Sequence, residues 1–234
     1  MTDRPFLLVV AGPNGSGKTT LIRHLQALGI DFGTYINADD IAATLQGQPE
    51  PGRSLQAQKL ADFQRDTCLS RLLSFSFETV MSHPSKVELM IRAHDAGYDV
   101  TLFFVATSNA EINVGRVENR VVLGGHDVPH DRIRARYQRS LAYLPHAALV
   151  ARRTVVFDNS ALLDVERAAM PDARSGLRPV AEVVRTDNAS YTITIEALVP
   201  SWVRTHLLDP LLQVERNSEG AVRLKVVQAN GPLH

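Results

Sequence analysis

The stretch Phe6-Leu-Leu-Val-Val-Ala-Gly-Pro-Asn-Gly-Ser-Gly-Lys-Thr-Thr20 decides the fold of this chain. Its first six residues form an apolar run of the length that is typical of a buried strand. The residues that follow match the pattern G-x-x-x-x-G-K-T at every fixed position. Apolar residues then recur at helical spacing, at Leu21, Ile22, Leu25 and Leu28. The sequence therefore predicts a phosphate-binding loop, or P-loop, between a buried strand and an amphipathic helix.

The residue types of this loop suit a triphosphate group. Glycines at 12, 15 and 17 let the backbone curl, so that its N–H groups form a concave anion site at the start of a helix. Lys18 can reach the β- and γ-phosphates, and the Thr19 hydroxyl can bind Mg²⁺. A glycine-rich turn with a chance Lys-Thr is the alternative, and the strand–loop–helix context argues against it. The predicted nucleotide contacts are Gly12, Pro13, Asn14, Gly15, Ser16, Gly17, Lys18, Thr19 and Thr20.

Length and composition predict one sizeable α/β domain with a small addition. The chain has 234 residues, and 44% of them are hydrophobic. Lys plus Arg number 25, and so do Asp plus Glu. The resulting formal net charge of zero argues against a protein whose main function is to bind a nucleic-acid backbone. The single cysteine, Cys68, fits a reducing compartment, and no signal peptide or membrane-spanning run is visible. We therefore expect a cytoplasmic protein with no membrane partner.

Two acidic sites lie in or directly after predicted strands. Asp39 and Asp40 come after a short strand at 33–37 and open a helix, where they either cap the helix or point into a ligand crevice. Glu78 interrupts a β-rich run at 75–81 and is followed by Thr79. A carboxylate in such a strand either faces the crevice or lies on a solvated edge. We favour the crevice, because parallel strands of this kind are usually covered on both faces.

Six arginines lie on a predicted helical hairpin. Arg116 and Arg120 stand four residues apart in a helix at 109–122, so they share one face. Arg132, Arg134, Arg136 and Arg139 follow in a second helix, and nearby acids such as Glu118, Asp127 and Asp131 are too few to pair them all. A solvated charged face is the alternative. We predict a phosphate-binding lid at about 116–144.

The remaining signals are weaker. Asp158 ends a fifth strand and is a candidate for a magnesium carboxylate, although so late a strand often only borders the base pocket in such folds. His126 and His130 do not predict zinc, because a structural zinc site needs four ligands and no cysteine is near. Strands at 180–184, 191–195 and 222–227 and a short helix at 200–212 follow a linker-like segment. We predict a main domain at 1–170 and a small α+β appendage at 177–234.

With these motifs in place, the chain resembles the zeta-toxin-like family of P-loop kinases, which are relatives of the nucleoside-monophosphate-kinase-like enzymes. The ordered matches are GPNGSGKTTL, INADDI, FET, RVENRVVLGGHDVP and FDNS, within residues 5–160. The resemblance implies an α/β fold with a parallel five-stranded sheet of order 2-3-1-4-5, helices on both faces and a helical lid. It implies transfer of the ATP γ-phosphate to the 3′-hydroxyl of the amino sugar in UDP-N-acetylglucosamine, and an antitoxin partner that blocks the ATP site.

The resemblance also assigns roles to residues of this chain. Lys18 matches the phosphate-binding lysine, Thr19 the magnesium ligand and Asp39 the catalytic base. Glu78 matches the acid near the acceptor. Arg116 matches the lid arginine that stabilises the transferring phosphate, with Arg120 and Arg136 as helpers. His126 stands where larger zeta toxins carry a second lid arginine. The implied acceptor contacts are Asp39, Asp40, Glu78, Thr79 and His126.

Other functions use the same loop. A guanine-specific switch is disfavoured, because the sequence has no Asn-Lys-x-Asp signature. A kinase of another small molecule, a nucleotide or a nucleic-acid end would suit the scaffold equally well. A regulator that binds ATP and transfers nothing is the alternative from another class. The acids and arginines argue against it, because binding alone needs none of them.

Overall fold

The computed structural model describes residues 4–45, 47, 51–124, 128–161, 176–229, 231 and 233. Its strands belong to one mixed sheet in the order β2-β3-β1-β4-β5-β6-β7-β8. Over the described ranges, no helix combines the length and the apolar character that a bilayer crossing needs. The strands are β1 (Phe6–Ala11), β2 (Thr34–Ile36), β3 (Phe75–Thr79), β4 (Asp99–Ala106), β5 (Arg153–Asp158), β6 (Arg178–Asp187), β7 (Ser190–Ile195) and β8 (Arg223–Gln228).

Helices connect and cover the strands. The last of them, α7, spans 201–217 and consists of Ser201–Val203, a π-helical turn at Arg204–Leu208, and Asp209–Asn217. The six before it are α1 (Lys18–Ala27), α2 (Ala38–Thr44), α3 (Gly52–Ser70), α4 (Ser85–Asp95), α5 (Ala110–Val122) and α6 (His130–Val150).

The apolar core lies on both faces of the sheet, because β1 and β4 are buried on both sides. Leu7 and Val9 point into a large cluster that also contains side chains from α4, α6 and α7. Leu8 and Val10 point to the opposite face, where they pack with Leu21 and other side chains of α1. This arrangement explains why β1 reads as a continuous apolar run.

The register of the central strands brings the predicted acids and the P-loop together. β1 lies between β3 and β4, and all three are parallel. Val10 is opposite Glu78, and Ala11 is opposite Thr79. The loop that follows Ala11 therefore emerges beside the end of β3, at the carboxyl edge where open α/β sheets bind ligands.

The predicted α/β class is confirmed, and the predicted number of strands is wrong. The five parallel strands have the expected order 2-3-1-4-5. β6 pairs antiparallel with β5, β7 pairs antiparallel with β6, and β8 pairs parallel with β7. The sheet grows from five strands to eight because β5 leaves an edge that β6 fills. The division at residues 170 and 177 stays a prediction, but the second part completes the sheet of the first.

Candidate active site

The P-loop adopts the predicted strand–loop–helix geometry. Gly17 has a φ of 101° and precedes α1, whose first turn is not capped by a side chain. A Cβ atom at Gly12 would lie 2.0 Å from the carbonyl oxygen of Val105, and one at Gly15 would lie 2.6 Å from that of Asn113. These positions require glycine because neighbouring backbone fills the space of a side chain. The uncapped helix start provides the N–H groups and the positive dipole end that favour an anion.

Lys18 is buried at the centre of this loop, with 8% of its surface exposed. Its ammonium group donates a hydrogen bond to the carbonyl oxygen of Pro13 at 3.1 Å and lies 3.7 Å from Oε1 of Glu78. Burial lowers the pKa of Lys18, whereas the carboxylate of Glu78 raises it. Arg120 lowers this pKa and Asp39 raises it, so both charges act on the lysine. The structure thus gathers four of the residues predicted for catalysis or acceptor binding.

Two asparagines that the sequence reasoning missed hold the P-loop from outside. Asn113 of α5 donates from Nδ2 to the carbonyl oxygen of Asn14 at 2.7 Å. Asn159, directly after β5, donates from Nδ2 to the carbonyl oxygen of Ser16 at 2.8 Å. Two signals pointed to them only indirectly: Asn159 belongs to the quoted FDNS motif, and Asn113 stands one turn before Arg116. By binding loop carbonyls, the two amides fix the peptide planes that carry the anion-binding N–H groups.

The helix that carries Asp39 and Asp40 is capped by another residue. Oδ1 of Asn37 accepts a hydrogen bond from the amide of Asp39 at 3.0 Å, so Asn37 is the N-cap of α2. Both acids lie in the first turn and are exposed. Neither the Asp39 nor the Asp40 carboxylate is therefore needed as the cap of α2. Asp39 is the one whose charge acts on Lys18.

Tyr35 is a further residue of this crevice that the sequence reasoning did not select. Burial raises the pKa of its hydroxyl, and the charges of Glu78, Asp40 and Asp39 raise it further. The hydroxyl therefore stays protonated and can act as a hydrogen-bond donor beside the acids. Thr79, by contrast, uses its hydroxyl in a local turn, where Oγ1 accepts the amide of Met81 at 3.0 Å. Its role in acceptor binding stays a prediction.

The lid arginines lie in different environments. Nη2 of Arg116 donates to the carbonyl oxygen of Ala161 at 3.4 Å, and its buried Nη1 has no hydrogen-bond partner within the described part of the chain. Burial lowers the pKa of Arg116, and the charge of Asp158 opposes this effect. A buried guanidinium nitrogen without a partner is expected to gain one from a ligand. Nη1 of Arg116 is therefore an available donor for an anionic ligand, one turn after the P-loop contact Asn113.

One arginine of the predicted lid is already paired. Arg134 makes two hydrogen bonds with the carboxylate of Glu111, at 2.7 and 2.8 Å. The sequence analysis did not list Glu111 among the neighbouring acids, and this contact joins α5 to α6. Burial lowers the pKa of Arg136, and Arg132 and Arg139 lower it further. These three arginines thus form a positively charged group on α6.

The histidines give no metal site within the described residues. His126 lies outside the described residues, so its predicted acceptor contact stays a prediction. Nε2 of His130 lies 3.0 Å from Oε1 of Glu118, which gives it an acidic partner on α5. Across the ranges that the structure describes, no group of three or more His, Cys, Asp or Glu residues is arranged to hold a metal ion.

Asp158 is turned toward the C-terminal segment. Its Oδ1 accepts hydrogen bonds from Nε1 of Trp202 at 2.8 Å and from the hydroxyl of Ser160 at 2.6 Å. Only 8% of the Asp158 surface is exposed. The buried carboxylate of Asp158 is thus bound by two donors within the protein, and its role as a magnesium ligand stays untested.

The residues present fit a nucleoside triphosphate with Mg²⁺. Besides Nη1 of Arg116, the hydroxyl of Ser16 and Oδ1 of Asn14 are buried without a hydrogen-bond partner in the described structure. Thr19 is exposed in the first turn of α1, where its hydroxyl is free to approach a cation. Because Mg²⁺ keeps waters and phosphate oxygens as ligands, a single hydroxyl from the protein is sufficient.

The fold and site define a P-loop protein with the fold of zeta-toxin-type kinases, so the resemblance is confirmed at the level of the fold. A crystal structure of the AvrRxo1-ORF1:-ORF2 complex with ATP superposes with a TM-score of 0.54 at 15% identity, covering 80% of this chain and 61% of that chain. The PezAT chromosomal toxin-antitoxin system of Streptococcus pneumoniae gives a TM-score of 0.53 at 15% identity, covering 94% of this chain and 88% of that chain.

Sequence comparison adds one relative. An uncharacterized protein of Haemophilus influenzae is 29% identical over 126 residues, which cover 54% of this chain and 88% of that protein. No protein-family model matches the chain. The solved structures share too little sequence with this chain to establish more than a common fold.

Proposed function

We propose that this protein is an ATP-dependent kinase that transfers the γ-phosphate to a hydroxyl group of a nucleotide sugar such as UDP-N-acetylglucosamine. The observation that carries this proposal is the convergence of opposite charges at the P-loop. Lys18 lies 3.7 Å from Glu78, and the charges of Asp39 and Arg120 act on the same lysine. A site that only bound ATP would need the cations but not the two carboxylates.

Each residue has a role in phosphoryl transfer. Lys18 leaves Glu78 to neutralise the β- and γ-phosphates, and Arg116 and Arg120 neutralise the charge that develops on the transferring group. Asp39 accepts the proton of the acceptor hydroxyl. Thr19 would hold Mg²⁺, which supplies further positive charge beside the phosphates. Freed from Lys18, Glu78 orients the acceptor by accepting a hydrogen bond.

The structural neighbours support this proposal in two respects. One of them was solved with ATP, which agrees with ATP as the phosphoryl donor. Another belongs to a toxin-antitoxin system, which supports an antitoxin protein as a partner. The nucleotide-sugar acceptor rests on the resemblance of the motifs.

The test is transfer of labelled γ-phosphate from ATP to a panel of nucleotide sugars, with sugar phosphates, nucleosides and oligonucleotide ends as comparison acceptors. Lys18→Met removes the ammonium group and keeps the length of the side chain, so we expect loss of both ATP binding and transfer. Lys86→Met is the matched control, because Lys86 bonds Asp62 at 3.1 Å on the surface and not the P-loop.

The outcomes separate the candidate functions. A labelled nucleotide sugar that forms with the native protein and not with Lys18→Met supports the proposal. Label on another acceptor retains the kinase and replaces the substrate. ATP binding without transfer to any acceptor contradicts the proposal and favours a regulator.

A further inference from the structure

The C-terminal segment reaches the active-site edge of the sheet through Trp202. This side chain is 4% exposed in α7, and its Nε1 donates to Oδ1 of Asp158 at 2.8 Å. The same oxygen accepts the hydroxyl of Ser160, whose Oγ in turn accepts the amide of Ser108 at 2.8 Å. Residues 158–161, here called the β5 exit, are thus held by α7 on one side and by the end of β4 on the other.

The β5 exit makes hydrogen bonds with both the P-loop and the lid arginine Arg116. Asn159 donates to the carbonyl oxygen of Ser16 in the P-loop. Ala161 accepts, through its carbonyl oxygen, a hydrogen bond from Nη2 of Arg116 at 3.4 Å. Asp158 also provides a negative charge that acts on this guanidinium. A shift of Asp158 or Ala161 is therefore expected to move the guanidinium of Arg116 relative to the phosphate-binding loop.

We propose that Trp202 and Asp158 are positioning residues that place the guanidinium of Arg116 at the transferring phosphate. This inference rests on the proposed function, because it assigns a role in phosphoryl transfer to residues that do not contact the reacting atoms. It assigns the C-terminal segment two roles. The segment completes the sheet, and through Trp202 it holds the β5 exit that positions Arg116.

The energetics favour a specific role over simple packing. A buried carboxylate is costly unless donors satisfy it, so loss of the Trp202 N–H weakens the anchoring of Asp158. Loss of the Asp158 charge removes a counter-charge from a partly buried guanidinium. A misplacement of about 1 Å in a residue that stabilises the transition state can lower the rate by ~10²-fold. Nucleotide binding depends on Lys18 and the P-loop amides, and Asn159, which holds that loop, keeps its own backbone hydrogen bond to the carbonyl oxygen of Ala106 at 2.8 Å in these variants.

The experiment compares binding of ADP alone with binding of ADP plus aluminium fluoride, which mimics the transferring phosphoryl group. Trp202→Phe keeps the buried ring and removes the N–H donor, and Asp158→Asn keeps an acceptor oxygen and removes the charge. Tyr191→Phe is the matched control. It removes a hydrogen bond from the same C-terminal part of the sheet, from Tyr191 Oη to the carbonyl oxygen of Leu149 at 2.8 Å.

We expect Trp202→Phe and Asp158→Asn to bind the aluminium fluoride complex at least about tenfold more weakly, with little change in ADP affinity. Tyr191→Phe should leave both affinities unchanged even where it lowers the melting temperature. In an Arg116→Ala background, Asp158→Asn should cause little further loss, because its effect acts through Arg116.

Three results would overturn this inference. If both variants bind the mimic as tightly as the native protein, the contact is structural only. If Asp158→Asn lowers the affinity equally with and without Arg116, it does not act through that residue. If the native protein itself fails to bind ADP with or without aluminium fluoride, the proposed function fails and the inference fails with it.

Discussion

The ammonium group of Lys18 lies 3.7 Å from the carboxylate of Glu78, and this pair joins the P-loop to the end of β3. Lys18 is 8% exposed on the side chain and Glu78 is 20% exposed. Burial lowers the pKa of Lys18, and Glu78 is the largest influence that raises it. Glu78 is therefore the counter-charge of Lys18 in this structure, and we predict that bound phosphates replace it.

Replacing Glu78 with Gln should tighten ATP binding by about threefold to tenfold and reduce phosphoryl transfer. The affinity rises because a negative charge that repels the phosphates and competes for Lys18 is lost. Calorimetry with a non-hydrolysable ATP analogue measures it. Glu182→Gln is the control, because Glu182 is paired with Arg153 at 2.6 Å in the same sheet, away from the P-loop. Weaker nucleotide binding in Glu78→Gln would show that Glu78 organises the empty site.

Asp39→Asn should abolish most transfer, whereas Asp40→Asn should keep substantial activity. Asn37 caps α2, so neither substitution removes the cap, and Asp39 alone of the two acts on Lys18. Loss of a general base lowers the rate by ~10²- to 10⁴-fold with little effect on folding. Thermal melting, ATP titration and transfer rates on both variants test this. Equal rates for Asp39→Asn and the native protein would make Glu78 the next candidate for the base.

Arg116→Ala should lower turnover by ~10³-fold with a much smaller effect on ATP affinity, because a lid arginine acts on transition-state charge. Arg134→Ala is the matched control on the same helical hairpin, since Arg134 is exposed and already bonded to Glu111. Steady-state kinetics with saturating ATP compares the two. Similar turnover in both variants would mean that the arginine face of α5 is only solvated.

Gly17→Ala should eliminate nucleotide binding, whereas Gly97→Ala should only reduce stability. Both glycines have positive φ, 101° and 87°, so both substitutions carry left-handed backbone strain of about 1–2 kcal/mol. A Cβ at Gly17 would also lie 2.4 Å from Nδ2 of Asn159, whereas nothing lies within 4 Å of one at Gly97. Displacing Asn159 breaks its bond to the P-loop. Melting curves and ATP titration on both variants distinguish strain from steric conflict, and intact ATP binding in Gly17→Ala would refute the role of Asn159.

The sequence predicted the P-loop and its neighbours because local signals determine them. The apolar run at Phe6, the glycine spacing and the helical periodicity after Lys18 each act within a few residues. The two arginines on one face of α5 were predicted for the same reason, since Arg116 and Arg120 are one turn apart. A five-stranded parallel core of the expected order followed from the motif resemblance.

What only the tertiary structure decided are contacts between residues far apart in the chain. Asn113 and Asn159, which hold the P-loop, lie 99 and 143 residues along the chain from the residues whose carbonyl groups they bind. Trp202 lies 44 residues from Asp158, and the local sequence of neither residue indicates the other. From the sequence we predicted β6–β8 as a separate unit, because the sequence of a strand does not by itself specify that it pairs with the β5 edge of the main sheet. The sequence by itself determined the strand, the glycine-rich loop and the helix of the P-loop, and the packing of distant elements decided how that loop is held.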